Sequence, residues 1–184
     1  MVVVQARSEQ AYTPTAKTLH WVTAVLVLFM LPAGILMANM PDSETKNLLF
    51  HLHRSTGVVL IPIILLRVFY RLTHPPAPLP PDLPPLMRFA AEANHLGLYA
   101  FLIVQPFIGW IATSAYPAPI LVFWLFELPP IWPEDRVFSE RMFTVHRLIG
   151  IGIALLVIAH IGGALFHHFI RRDTVLLRML RGTG

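Results

Sequence analysis

The chain has 184 residues, enough for one domain or one compact bundle. Hydrophobic residues make up 55% and charged ones 13%, against about 25% charged in a soluble domain. With a mean hydropathy of +0.63, this excludes an ordinary soluble globule and a disordered chain. There is no cysteine, so disulfides, thiolate zinc sites, iron–sulfur clusters and thioether-attached haem are excluded too. Nine histidines are many for so apolar a chain. A pI near 10 does not signal nucleic acid here, because Lys and Arg sit at the edges of apolar runs, where topology signals belong.

Four runs are long and apolar enough to cross a bilayer, which takes about 20 residues. They are Leu19 to Met40, Phe50 to Leu72, Phe89 to Ala115 and Phe143 to Ile170. None alternates with period two, so the expected fold is all-α, an integral membrane four-helix bundle. Pro32, Pro62 and Pro106 fall inside the first three runs, which packed membrane helices tolerate. Eighteen residues of mixed character precede the first run, and Asn39-Met40-Pro41-Asp42 is no small-residue cleavage site. The first run therefore reads as a retained span.

An even number of spans places both termini on one side. That side holds nine basic residues: Arg7, Lys17, Arg67, Arg71, Arg88, Arg171, Arg172, Arg178 and Arg181. The other side holds five: Lys46, Arg54, Arg136, Arg141 and Arg147. The positive-inside rule then puts both termini in the cytoplasm. The proline-rich connection from Thr73 to Pro85 reads as an extended inner loop. In the outer connection, Ile120 to Phe126 is too short to span and is expected in the interface or over the bundle end, with Trp124 and Trp132 as belt residues. The tail around Leu177 and Leu180 reads as an amphipathic surface segment.

Ionisable groups inside spans are costly and point to function. His20 opens the first span on the inner side, and His53 opens the second on the outer side. His146 opens the fourth on the outer side, and His160 lies deeper in it. His146 and His160 are 14 residues apart, about 40° short of four full turns and roughly 21 Å along the axis. One helix face thus carries two imidazoles at two depths. His53 is placed to pair with His146, and His20 with His160. His53-Arg54-Ser55-Thr56-Gly57 and His146-Arg147-Leu148-Ile149-Gly150 repeat one H-R-x-x-G pattern. Gly57 and Gly150 lie one turn deeper than their histidines, where a flat macrocycle would need close backbone approach. Arg54 and Arg147 are placed to meet its carboxylates. Two imidazoles, a planar ligand and a basic rim fit haem b. Zinc competes for imidazole but usually needs four ligands in a structural site. A third reading makes the histidines packing donors between helices.

These residues carry a likeness. The chain resembles the bacterial cytochrome b-561 family of small four-span, inner-membrane di-haem b proteins. The matching stretches include Thr18-Leu19-His20-Trp21, His53 to Gly57, His95-Leu96-Gly97-Leu98-Tyr99 and Gln105-Pro106-Phe107-Ile108-Gly109. They end with His146, His160 and the run from His167 to Leu180, which holds a double histidine and D-x-x-L-x-R-M. The resemblance implies a single cytochrome b domain over residues 1–184, with two stacked haem b groups ligated by His20, His53, His146 and His160. It further implies electron exchange with membrane quinone, ubiquinone being the acceptor for the superoxide-oxidising relatives. The outer connections carry five basic and six acidic residues. Arg54 and Arg147 would have to supply any local positive field that draws an anion such as superoxide.

His167 lies seven residues past His160, about 20° off the same face and roughly 10 Å further inward. It is a candidate to bind a quinone carbonyl or carry its proton, with Lys17 lining the same pocket. His95 is expected to pack or to face a carboxylate of the haem, and Arg67 and Arg71 to hold the inner carboxylates or to serve as topology anchors. The expected partners are therefore the bilayer, a quinone, and superoxide or a periplasmic electron donor, with no nucleic acid. Alternatives are a cytochrome subunit that anchors a separate dehydrogenase, and a non-redox protein that transports metal or haem.

Overall fold

The computed structural model describes residues 11–180; Arg7 and Arg181, used above for topology, lie outside them. Four long helices follow one another: α1 (Pro14–Asn39), α2 (Glu44–Thr73), α3 (Pro85–Ala115) and α4 (Arg136–Phe166). All four are long and apolar enough to cross a membrane. Between α3 and α4 lie two short antiparallel strands, β1 (Ile120–Val122) and β2 (Phe126–Leu128), with Ile120 opposite Leu128. After α4 come a π-helical turn (His167–Arg171) and a last helical turn, α5 (Leu177–Leu180).

Each long helix begins four to seven residues before the apolar run that marks it. The reason is capping, which hydropathy does not register. The Thr13 hydroxyl accepts from the Ala16 N–H (3.2 Å), ahead of Pro14 in the first turn. Ser43 does the same for Lys46 (3.2 Å), and the Asp135 carboxylate for Phe138 (2.9 Å). Pro85 opens α3 with no side-chain cap. A side-chain acceptor satisfies an orphan N–H, and proline lacks the N–H that would otherwise be orphaned there. At the far end, α4 widens into the π turn, and Arg172 in the left-handed region (φ 57°) closes it.

The outward faces are apolar and exposed, as lipid-facing surfaces are: Val25, Ile35, Phe69, Leu155 and Ile158 among others. The buried centre is small and takes at least one side chain from every long helix: Val27, Leu60 with Ile64, Leu102 and Ile153. The outer connection does cap the bundle, but as a hairpin. Ile120 and Val122 turn inward and are buried, and β1 packs on α2. The tail departs from the expected surface segment at one residue. Arg178 is buried, because its guanidinium donates to the Pro78 carbonyl (3.1 Å) and to the Thr174 hydroxyl (3.3 Å), which draws the tail onto the proline-rich loop.

Candidate functional site

Steps of seven residues organise the interior. A seven-residue step falls about 20° short of two turns and rises roughly 10 Å, so such positions share a face. The α1 ladder is His20, Val27, Gly34, and that of α2 is His53, Leu60, Arg67. In α3 it is His95, Leu102, Gly109, and in α4 it is His146, Ile153, His160. Helices alternate in direction, so the rungs align in three levels. The middle level is the apolar centre, with Val27, Leu60, Leu102 and Ile153 all 9% exposed or less. Above it, at the hairpin end, are His53, His146, Gly34 and Gly109. Below it, at the end bearing the termini, are His20, His160, His95 and Arg67.

At the hairpin level the His53 and His146 ring centres are 6.2 Å apart. The two glycines make the room. A Cβ on Gly34 would stand 3.3 Å from His53 Cε1, and one on Gly109 would stand 3.0 Å from His146 Cε1. Gln105 clasps His146 twice. The imidazole Nδ1–H donates to the Gln105 carbonyl (3.2 Å), and the Gln105 amide donates to the His146 carbonyl (2.8 Å). With Nδ1 as donor, the Nε2 lone pair is left for a ligand. His53 Nδ1 is buried with no hydrogen-bond partner.

Gly57 and Gly150 have other neighbours. Gly57 faces Met30 at an ordinary 3.6 Å, and Gly150 makes room for the Gln105 amide at 3.4 Å. Arg54 donates to the Pro119 carbonyl (3.1 Å) and lies over the Phe50 ring, while Arg147 is exposed. Ser55, two residues past His53, ties the hairpin down. Its buried hydroxyl donates to the Leu121 carbonyl (3.1 Å) and accepts from the Phe123 N–H (2.9 Å). The hairpin turn holds Phe123 and Trp124 at φ 46° and 59°, a conformation bulky residues rarely adopt. Trp124 packs on His51, on the side of α2 away from the ladder.

At the terminal level the His20 and His160 ring centres are 6.0 Å apart, and His95 is closer still to His160, at 5.2 Å. Arg67 donates to His20 Nδ1 at 2.8 Å. Arg67 and Arg71 both lie over the Tyr99 ring, at 5.4 and 5.9 Å. Beyond this level, His167 is buried, and its Nδ1–H donates to Asp173 (2.6 Å). Arg171 bridges Asp173 (3.3 Å) and Asp82 (2.6 Å). Partial burial works to raise the Asp173 pKa, but hydrogen bonds from His167, the Val175 N–H and Arg171 outweigh it and hold the carboxyl below its usual range. A groove of about 450 Å3 opens between α1 and the tail, lined by Pro14, Lys17, Thr18, Trp21, Val22, Met179 and Leu180. Lys17 is thus in the groove wall, whereas His167 is not among its lining residues.

The histidine pairs have the spacing of axial ligands. Metal–imidazole bonds of about 2.0–2.1 Å, extended to each ring centre by about 1.1 Å, put two rings on opposite sides of one metal ion about 6 Å apart. Haem iron with two axial imidazoles needs no further protein ligand. Among the described residues no group of three or more His, Asp or Glu is placed to hold an ion by itself. The donor set, the unpartnered His53 Nδ1 and the glycine-made room therefore fit a haem better than a bare metal ion. Sequence reasoning put the four histidines, His95 and Arg67 at their ends of the bundle, but it missed that His95, Leu102 and Gly109 form one ladder and that Arg67 shares the face of His53 and reaches His20. The seven-residue step was the signal that would have found both.

Comparison with known proteins agrees. Residues 11–182 match the prokaryotic cytochrome b561 family. The chain is 30% identical over 175 residues to cytochrome b561 homolog 2 of Escherichia coli K12, covering 93% of this chain and 92% of the relative. It is 29% identical over 171 residues to cytochrome b561 homolog 1 of the same organism, covering 92% and 96%. It is 24% identical over 162 residues to the probable superoxide oxidase CybB of Yersinia pestis, covering 88% and 91%. With four membrane-spanning helices and a match over nearly its whole length, the chain belongs to the prokaryotic cytochrome b561 family, multi-pass bacterial membrane proteins that bind haem b and transfer electrons.

Proposed function

We propose that the chain holds two haem b groups, one on His53 and His146 and one on His20 and His160, and carries electrons across the membrane between a donor and a quinone. The single observation that carries this reading is the pair of imidazole separations, 6.2 and 6.0 Å, at two levels with an apolar layer between. The haem would supply one-electron redox chemistry; the chain supplies everything that tunes it. Gln105 orients His146, and Gly34 and Gly109 keep side chains away from the rings. Arg67 and Arg71 are the cations available to haem carboxylates at the terminal level, as Arg54 and Arg147 are at the hairpin level. The apolar layer keeps water from joining the two levels.

The groove walled by Lys17, Thr18 and Trp21 suits a quinone head group, with ubiquinone the candidate. It is open, apolar on most sides, one residue from His20, and offers an ammonium to a carbonyl oxygen. His167, held by Asp173 outside the groove lining, is a second imidazole available for proton exchange at this end. The likeness to a probable superoxide oxidase supports superoxide as the donor, arriving at the hairpin end from the periplasm with both termini cytoplasmic.

Stopped-flow mixing of purified protein with superoxide, with and without ubiquinone, tests the whole reading. The expected result is two low-spin haems b per chain, reduced by superoxide and reoxidised by quinone. A colourless protein from iron-replete cells would overturn the haem assignment. Haem that ignores superoxide would overturn the donor and favour a subunit that anchors a separate dehydrogenase.

A further inference from the structure

We infer that Arg67 makes the terminal-level haem the more readily reduced of the two, so that an electron entering at the hairpin end settles at the end bearing the termini. This rests on the two-haem reading. The four ladders share one step, and the two levels match only on α4, where each carries a histidine. On α1, α2 and α3 the hairpin level has Gly34, His53 and Gly109, whereas the terminal level has His20, Arg67 and His95. Beside its histidine pair the terminal level thus carries an arginine and a third histidine in place of two glycines. Arg67 donates to His20 Nδ1 at 2.8 Å, and no Asp or Glu among the described residues pairs with it within 4.0 Å. Its charge is permanent. Reduction of a haem iron adds one electron and lowers the local charge by one, so a fixed, half-buried cation beside it favours the reduced form.

When His20 ligates through Nε2, its Nδ1 carries the proton and no longer accepts from Arg67. The Tyr99 face, 5.4 Å from the guanidinium and shared with Arg71, then keeps that charge at the same level. Of the two cations in the hairpin-level pattern, Arg54 donates to the Pro119 carbonyl and Arg147 is exposed.

Redox titration of the holoprotein in lipid nanodiscs tests this without any turnover. Wild type should titrate as two components, and His53→Ala, lacking the hairpin-level haem, should retain the higher one. Arg67→Gln should lower that component tenfold or more in its reduction equilibrium, ~59 mV for one electron, and move the other far less. Arg67→Lys, which keeps the charge, should restore most of the shift. If Arg67→Gln does not retain haem, Arg71→Gln decides, and the same component must fall. Equal movement of both components, a fall only in the lower one, or Lys behaving like Gln would overturn the inference. A wild type without haem would overturn the two-haem reading and this inference with it. Two haems whose potentials ignore Arg67 and Arg71 would overturn this inference alone.

Discussion

The hairpin-level and terminal-level histidine pairs share α4 but take their second member from α2 and α1 respectively, and they live among different neighbours. At the hairpin level each imidazole lies against a glycine, and one is clasped by Gln105. At the terminal level there is no glycine rung, and a third histidine and a half-buried arginine stand beside the pair. The first level is built by removing side chains and the second by adding charge. On the proposed two-haem reading, like ligands in unlike surroundings would give the two centres different properties, because neighbours orient ligands and set local charge.

The sharpest way to break this comparison is to remove its members. His53→Ala or His146→Ala should lose about half of the bound haem, and His20→Ala or His160→Ala the other half, by pyridine haemochrome assay. His95→Ala should keep both haems. If His95→Ala loses one and His20→Ala does not, the terminal pair is His95 with His160, and the levels are less alike than the ladder implies.

The glycines give the next effect. Gly109→Ala would bring a methyl to 3.0 Å from the His146 ring, so the hairpin-level haem should become substoichiometric or high-spin while the terminal one is untouched. Gly57→Ala, with 3.6 Å to Met30, should leave both spectra unchanged. Equal effects of the two substitutions would deny Gly109 its special place.

Ser55→Ala comes third. It strands the Leu121 carbonyl and the Phe123 N–H beside the hairpin level. Leaving such groups unsatisfied costs about 1–3 kcal/mol. The hairpin should become accessible to protease while the terminal-level spectrum stays the same.

The smallest effect belongs to Asp173. Its pKa is lowered in the folded chain, so its contribution to docking the tail is full above the unfolded value of about 3.9 and is lost as pH falls through the lower folded value. Hydrogen exchange in residues 174–180 should therefore rise on acidification below about pH 4. Asp173→Asn should remove that dependence. An unchanged acid profile in the variant would assign the dependence to another group.

Much of the site was legible because membrane helices leave few polar residues to choose among. His146 and His160 declare a shared face by their spacing alone. The hairpin was not legible as strands. Three residues per strand carry no usable alternation, and Phe123-Trp124 lacks the glycine or asparagine that such a turn favours. Nor were the helix starts, whose caps are polar and lie outside the hydropathy signal.

From residue order alone come the four spans, the absence of thiolate chemistry and the two histidine depths, since each depends on composition or on helical period. Which glycines face the rings, which carbonyl holds His146 and where Arg67 ends are decided only when four helices set their faces together. Those contacts join residues up to 47 positions apart in the chain, and helical period says nothing about how one helix is rotated against the next.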